Sequence, residues 1–144
     1  MAKTYICLIF LCFSIVAHGQ QGDQVLIDSI ESTSLENLDS LYYNLFVKYR
    51  VKNPTLAEEY ALLSYDYAKS SYDHNYLIRS LNALGYLNKQ KQNVEKAVEY
   101  YTEAIKIASE FGIEERLVFL YNNLGNIYTS TSQFDMAIDN YLKS

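Results

Sequence analysis

Leu81-Asn82-Ala83-Leu84-Gly85 and, forty residues on, Tyr121-Asn122-Asn123-Leu124-Gly125 decide how this chain folds. The residues downstream of each stretch keep step. Ala97 returns as Ala137 and Tyr101 as Tyr141, so the Leu-Gly pair, the alanine and the tyrosine share one offset of 40. A fixed period of roughly 20 to 50 residues marks stacked supersecondary units, each too small to bury its apolar face alone. The expectation is an all-α chain, an α-α superhelix of antiparallel helix hairpins, whose function lies on a surface.

On both sides of these stretches the apolar residues keep helical spacing, from Leu35 to the end. Thr33-Ser34-Leu35-Glu36 has the form of a capping box, and Leu35, Leu38, Leu41/Tyr42, Leu45 and Tyr49 make a stripe behind it. Asn53-Pro54 reads as an N-cap with proline at the first helical position, ahead of a second face of Ala57, Tyr60, Ala61, Ser64, Tyr67 and Ala68. After a polar break at Ser70–Asn75, a third helix carries Leu77, Leu81, Leu84 and Leu87, and Lys89–Asn93 turns the chain. A fourth helix runs from Val94 to Phe111, stopped by Gly112, a fifth spans Glu114–Ser130, and a sixth starts at Phe134. Val25-Leu26-Ile27 and Ile30 suggest a short leading helix. The divisions are a leader segment at 20–33, a degenerate unit at 34–76, a full unit at 77–116 and a unit at 117–144 that the end of the chain truncates.

Small and large residues alternate for a packing reason. Alanines 57, 61, 97, 104, 108 and 137 let helix axes approach, and Gly85 and Gly125 mark the closest crossing within a hairpin. Tyr101, Tyr128 and Tyr141 are expected to fill the gaps beside them with their hydroxyls near water.

The first residues obey another logic. Lys3 precedes the apolar run Tyr5–Phe13, which continues to Ala17 and ends on small residues at Ala17 and Gly19, the order of a secretory signal peptide over 1–19. About 20 apolar residues would be needed to span a bilayer, and Leu11 before Cys12 does not suit a lipid anchor. Cleavage after Gly19 gives an exported protein, periplasmic or secreted. It removes Cys7 and Cys12 and with them disulfides and thiol chemistry. The net charge of −5 becomes one unit more negative without Lys3, which disfavours nucleic acid as a partner.

Catalytic patterns are missing. His74 is the one histidine beyond the leader, with no zinc-ligand spacing, no Gly-x-Ser-x-Gly and no glycine-rich phosphate loop. Glu58-Glu59, Glu114-Glu115 and the Asp135/Asp139 pair sit at helix starts or outer faces, where they suit the macrodipole and solvent. The reading is of no enzyme, with no catalytic, metal or cofactor residue; a hydrolase is the weakest alternative.

The spacing resembles the tetratricopeptide repeat family, in a bacterial exported type whose repeat is lengthened to about 40 residues. Tyr121, Leu124-Gly125, Tyr128, Ala137 and Tyr141 match its pattern, with Ser144 where the last alanine falls. Leu81, Leu84-Gly85, Ala97, Tyr101 and Ala104 match again, with Asn88 in place of a tyrosine and Ser109 in place of a proline. The first copy is degenerate, with Leu45 or Phe46 where glycine is expected.

The resemblance implies protein or peptide binding in a concave groove lined by the first helix of each pair. It maps the groove to Arg79, Asn82, Tyr86 and Lys89 on the third helix and to Phe119, Asn122, Asn123, Asn126 and Thr129 on the fifth. A carboxylate clamp is not supported, since only Arg79 and Lys89 supply positive charge there. The alternative reading is the extracytoplasmic sensor of a membrane signalling protein, a histidine kinase or DNA-binding regulator continuing past Ser144. The uncapped end, with Phe134, Ile138 and Tyr141, is expected to self-associate.

Overall fold

The computed structural model describes residues 37–144, as six α-helices. In chain order they are α1 (Leu38–Tyr49), α2 (Pro54–Ser71), α3 (His74–Gln90), α4 (Val94–Glu110), α5 (Glu114–Ser130) and α6 (Phe134–Lys143), with no strand among the described residues. The leader, the short leading helix and the capping box lie outside the described residues. Each helix packs against its neighbours in sequence, and α3 also touches α1 and α5. The fold is an all-α solenoid of helix hairpins, with the odd-numbered helices side by side.

The helix ends are set by local chemistry. Asn53 accepts a hydrogen bond from the Leu56 N–H at 3.2 Å, and Pro54 opens α2. The expected six-residue break between α2 and α3 shrinks to two residues. The Ser70 and Ser71 hydroxyls donate to carbonyls three residues back in α2, so both residues finish that helix. Asp73 then caps α3 by accepting from the Tyr76 N–H at 3.0 Å. Four of the five turns share one device, a residue at positive φ: Tyr72 (60°), Gln92 (61°), Gly112 (66°) and Ser132 (61°). After each, the next N–H reaches back five residues, as in Asn93 to the Asn88 carbonyl at 2.9 Å and Gln133 to that of Tyr128 at 2.8 Å. Only at Gly112 is the left-handed backbone free of a Cβ penalty.

The core runs through the alanine and leucine positions of the repeat, with Ala57, Ala61, Ala97, Ala104 and Ala108 fully buried. Gly85 and Gly125 leave room for a ring rather than for a backbone. A Cβ on Gly85 would stand 2.8 Å from Tyr101 Cε1, and one on Gly125 would stand 2.5 Å from Tyr141 Cε1. Tyr101 is 1% exposed, so its hydroxyl is not near water as its neighbours' spacing suggests, and burial pushes its pKa up.

In the first hairpin the bulk changes sides. Leu45 stands one period before Gly85 and Ala61 one period before Tyr101, and both are buried. The seam between α2 and α3 is polar, because Ser80 Oγ lies 2.7 Å from Ser64 Oγ, which in turn donates to the Asp39 carbonyl of α1 at 2.8 Å. One period later Ala104 and Leu120 make that seam apolar. Asn88, in the tyrosine position, is buried because its Nδ2 donates to the Leu84 carbonyl at 2.9 Å.

Candidate functional site

The row α1, α3, α5 carries the candidate surface. Tyr43 of α1, Arg79 and Asn82 of α3, and Arg116 and Phe119 of α5 enclose a cleft of about 70 Å³ over the buried side chains Ile78 and Leu120. The Arg79 guanidinium lies 4.9 Å from the Tyr43 ring centre and 5.1 Å from that of Tyr76, and the two rings meet edge-on at 6.1 Å. Cation–π contact of this kind fixes the long side chain across the α1–α3 boundary. The Nε atoms of Arg79 and Arg116 are buried without a hydrogen-bond partner, a costly state for a charged donor. Arg116 Nη2 stands 3.4 Å from the carboxylate of the exposed Glu115.

The residues singled out from the sequence divide into three groups. Arg79, Asn82 and Phe119 meet in the cleft, and Asn123 joins them because its Nδ2 donates to Asn82 Oδ1 at 2.9 Å, tying α5 to α3. Tyr86 belongs to a second, more open hollow of about 370 Å³ between the end of α1 and the end of α3, where the Arg50 guanidinium lies 6.0 Å from its ring centre. Lys89 is half-buried in the last turn of α3, where a cation complements the macrodipole.

Asn126 and Thr129 are engaged by α6 instead. The Tyr141 hydroxyl donates to Asn126 Oδ1 at 2.9 Å and lies 3.2 Å from Thr129 Oγ1. Asn122 is exposed on α5. The amides therefore do not form one free row, since Asn82, Asn123 and Asn126 each have a partner within the protein.

Sequence reasoning missed Tyr43, Arg50 and Arg116. The degenerate first unit hid Tyr43 and Arg50, whereas Arg116 had a legible signal: it precedes Phe119 by three residues, one helical turn. Its presence corrects the expectation that Arg79 and Lys89 alone bring positive charge to this face, because Arg116 lines the same cleft as Arg79. Among the described residues no three His, Cys, Asp or Glu side chains gather as a metal cage, and no helix is long and apolar enough to cross a membrane.

Compared with known families, residues 78–111 and 120–144 match the model of the tetratricopeptide repeat. Searches of curated proteins and of solved structures found no match.

Proposed function

We propose that this chain, whose residues 78–111 and 120–144 match the tetratricopeptide repeat, is a protein-interaction scaffold taking an extended segment of its partner along α1, α3 and α5. The observation that carries this reading is the cleft, where Phe119, 63% exposed, stands beside the Asn82–Asn123 pair and two incompletely bonded arginines. An exposed aromatic next to polar groups fixed by their own hydrogen bonds is the anatomy of a binding anchor with an orienting rim. The chemistry needed is recognition, not bond making.

The charged, apolar and small residues of 1–19 support export as part of the same proposal, with the scaffold working beyond the cytoplasmic membrane. That leader equally favours, as a second reading, the sensor region of a membrane signalling protein. An exported product whose N-terminal sequence starts at Gln20 supports export; retention of Met1 on membrane-held protein contradicts it.

The binding test uses a partner recovered from the envelope fraction. Phe119→Ala and Tyr86→Ala should each weaken it by about 2 kcal/mol, Asn123→Ala by about 0.5–1.5 kcal/mol, and changes at the exposed Glu95 and Glu103 of α4 should leave it unchanged. Affinity that survives both aromatic changes and falls at Glu95 or Glu103 would move the site to the other face.

A further inference from the structure

The charges of this acidic chain are spread unevenly over its described helices. The even-numbered helices carry Glu58, Glu59 and Asp66 against Lys69, Glu95, Glu99, Glu103 and Glu110 against Lys96 and Lys106, and Asp135 and Asp139 against Lys143. In contrast α3 holds Arg79 and Lys89 and no acid at all. On α1 the single acid, Asp39, is buried, its carboxylate accepting from the Ser40 N–H and from the Ser71 hydroxyl at 3.3 Å. On α5 Glu114 and Glu115 stand beside Arg116, so it is α1 and α3 that run against the acidic trend of the chain.

Arg116 is the most telling cation of the odd row. It lies in the first turn of α5, where a cation opposes the helix macrodipole, so helix stability does not account for it. Its pairing with Glu115 is between adjacent residues, at 3.4 Å, with the carboxylate 72% exposed, a contact of little energetic weight. Its Nε and that of Arg79 are buried without an acceptor, and both guanidiniums line one cleft. That cleft, about 70 Å³, is several times the ~10–15 Å³ that one water needs and well below the 300–1,000 Å³ or so of a small-molecule site. A carboxylate fits that space, and the paired N–H donors of a planar guanidinium match its two oxygens. Apolar surface flanks it on both sides, as Tyr43 on α1 and Phe119 on α5, so the carboxylate arrives from a chain with apolar neighbours on either hand.

We propose that the Arg79–Arg116 cleft receives the side-chain carboxylate of an Asp or Glu inside an extended acidic-apolar segment of the partner, the neighbouring apolar residues packing on Phe119 and Tyr43. The inference rests on the groove reading and adds the partner's chemistry to it.

The test uses the full chain and three acetylated fluorescent octapeptides: alternating leucine and glutamate with an amidated end, alternating leucine and glutamine with an amidated end, and the glutamine peptide with a free terminal carboxylate. Fluorescence anisotropy at low salt should show the glutamate peptide binding at least about tenfold tighter than the amidated glutamine peptide, the ratio expected of one charge-assisted hydrogen bond. Arg116→Gln should remove that preference while leaving the helical circular dichroism unchanged, Arg79→Gln should do the same, and Lys96→Gln on α4 should not. Because Arg79 also holds Tyr43 and Tyr76, Arg116→Gln decides the matter if Arg79→Gln loses structure.

Equal binding of the amidated glutamate and glutamine peptides overturns the carboxylate site and leaves the groove standing. A free-ended glutamine peptide that binds as tightly as the glutamate peptide overturns the internal side chain in favour of a chain terminus. A preference that survives Arg116→Gln overturns the location. No binding of any peptide at millimolar concentration overturns the groove itself and the inference with it.

Discussion

Replacing Gly85 with alanine isolates the contact that defines the hairpin. The new Cβ would stand 2.8, 2.9 and 3.0 Å from Cε1, Cζ and Cδ1 of Tyr101, against about 3.5–4.0 Å for carbon atoms in comfortable contact. Tyr101 is 1% exposed and has nowhere to swing, so overpacking at the upper end of its usual range, about 2–3 kcal/mol, should exceed the ~1 kcal/mol by which alanine outranks glycine in a helix. The net loss should be about 1–2 kcal/mol, or roughly 5–10 °C in Tm for a domain of this size. At Gly125 the approach to Tyr141 is closer, 2.5 Å, yet Tyr141 is 39% exposed on the last helix and its ring can move aside. Gly125→Ala should therefore stay within about 0.5 kcal/mol of the parent, the cost of displacing the ring and its hydrogen bonds nearly cancelling the helix gain of ~1 kcal/mol. Urea melts read at 222 nm measure both. In the double variant Gly85→Ala with Tyr101→Leu, the loss should be smaller than the sum of the singles, since the leucine clears the space the Cβ needs. A Gly85→Ala protein as stable as the parent, or a larger loss at Gly125 than at Gly85, would show that the ring does not hold this crossing.

Two further perturbations probe the turns and the buried ring. Gln92→Gly and Ser132→Gly should each stabilise by about 0.5–1 kcal/mol, since both residues hold φ at 61°, whereas Gly112→Ala at φ 66° should cost about 1 kcal/mol; thermal melts in which the signs are reversed would contradict the turn assignment. The raised pKa of Tyr101 means that the unfolded chain ionises first above about pH 10, so stability present below that pH should fall as pH rises. Tyr101→Phe should flatten that alkaline decline, and an unchanged slope in urea melts between about pH 9.5 and 11 would show that the hydroxyl is not desolvated.

The repeat was the most legible feature because it is written in residues whose size the packing dictates. Gly85 with Tyr101 and Gly125 with Tyr141 are paired by the fold, and the helical bounds of α5 were readable from Gly112 before it and from Ser130 at its end. Polar residues were harder. Ser70 and Ser71 look like linker, yet their hydroxyls bond back onto α2 carbonyls, so composition alone misplaced the end of the helix. Tyr101 shows the reverse case, a residue with a polar tip buried whole because glycine opposite makes room for the entire ring.

The candidate surface was half legible. Arg79, Asn82 and Phe119 can be read from knowing which helix of each pair faces inward, whereas Tyr43 and Arg116 depend on how three helices stack, which no single repeat encodes. The three asparagines of α5 looked alike in sequence and differ in the fold: Asn123 is held by α3, Asn126 by Tyr141, and Asn122 faces solvent.

Whether a partner lies along the odd-numbered helices can be read residue by residue from backbone amide shifts, recorded by nitrogen-15 NMR as the partner segment is titrated in. The largest changes should fall on α1, α3 and α5, centred on Tyr43, Arg79, Asn82, Arg116 and Phe119, with α2, α4 and α6 nearly silent. Changes concentrated on Glu95, Glu99 and Glu103 of α4, with the cleft unperturbed, would place the partner on the opposite face and contradict the groove.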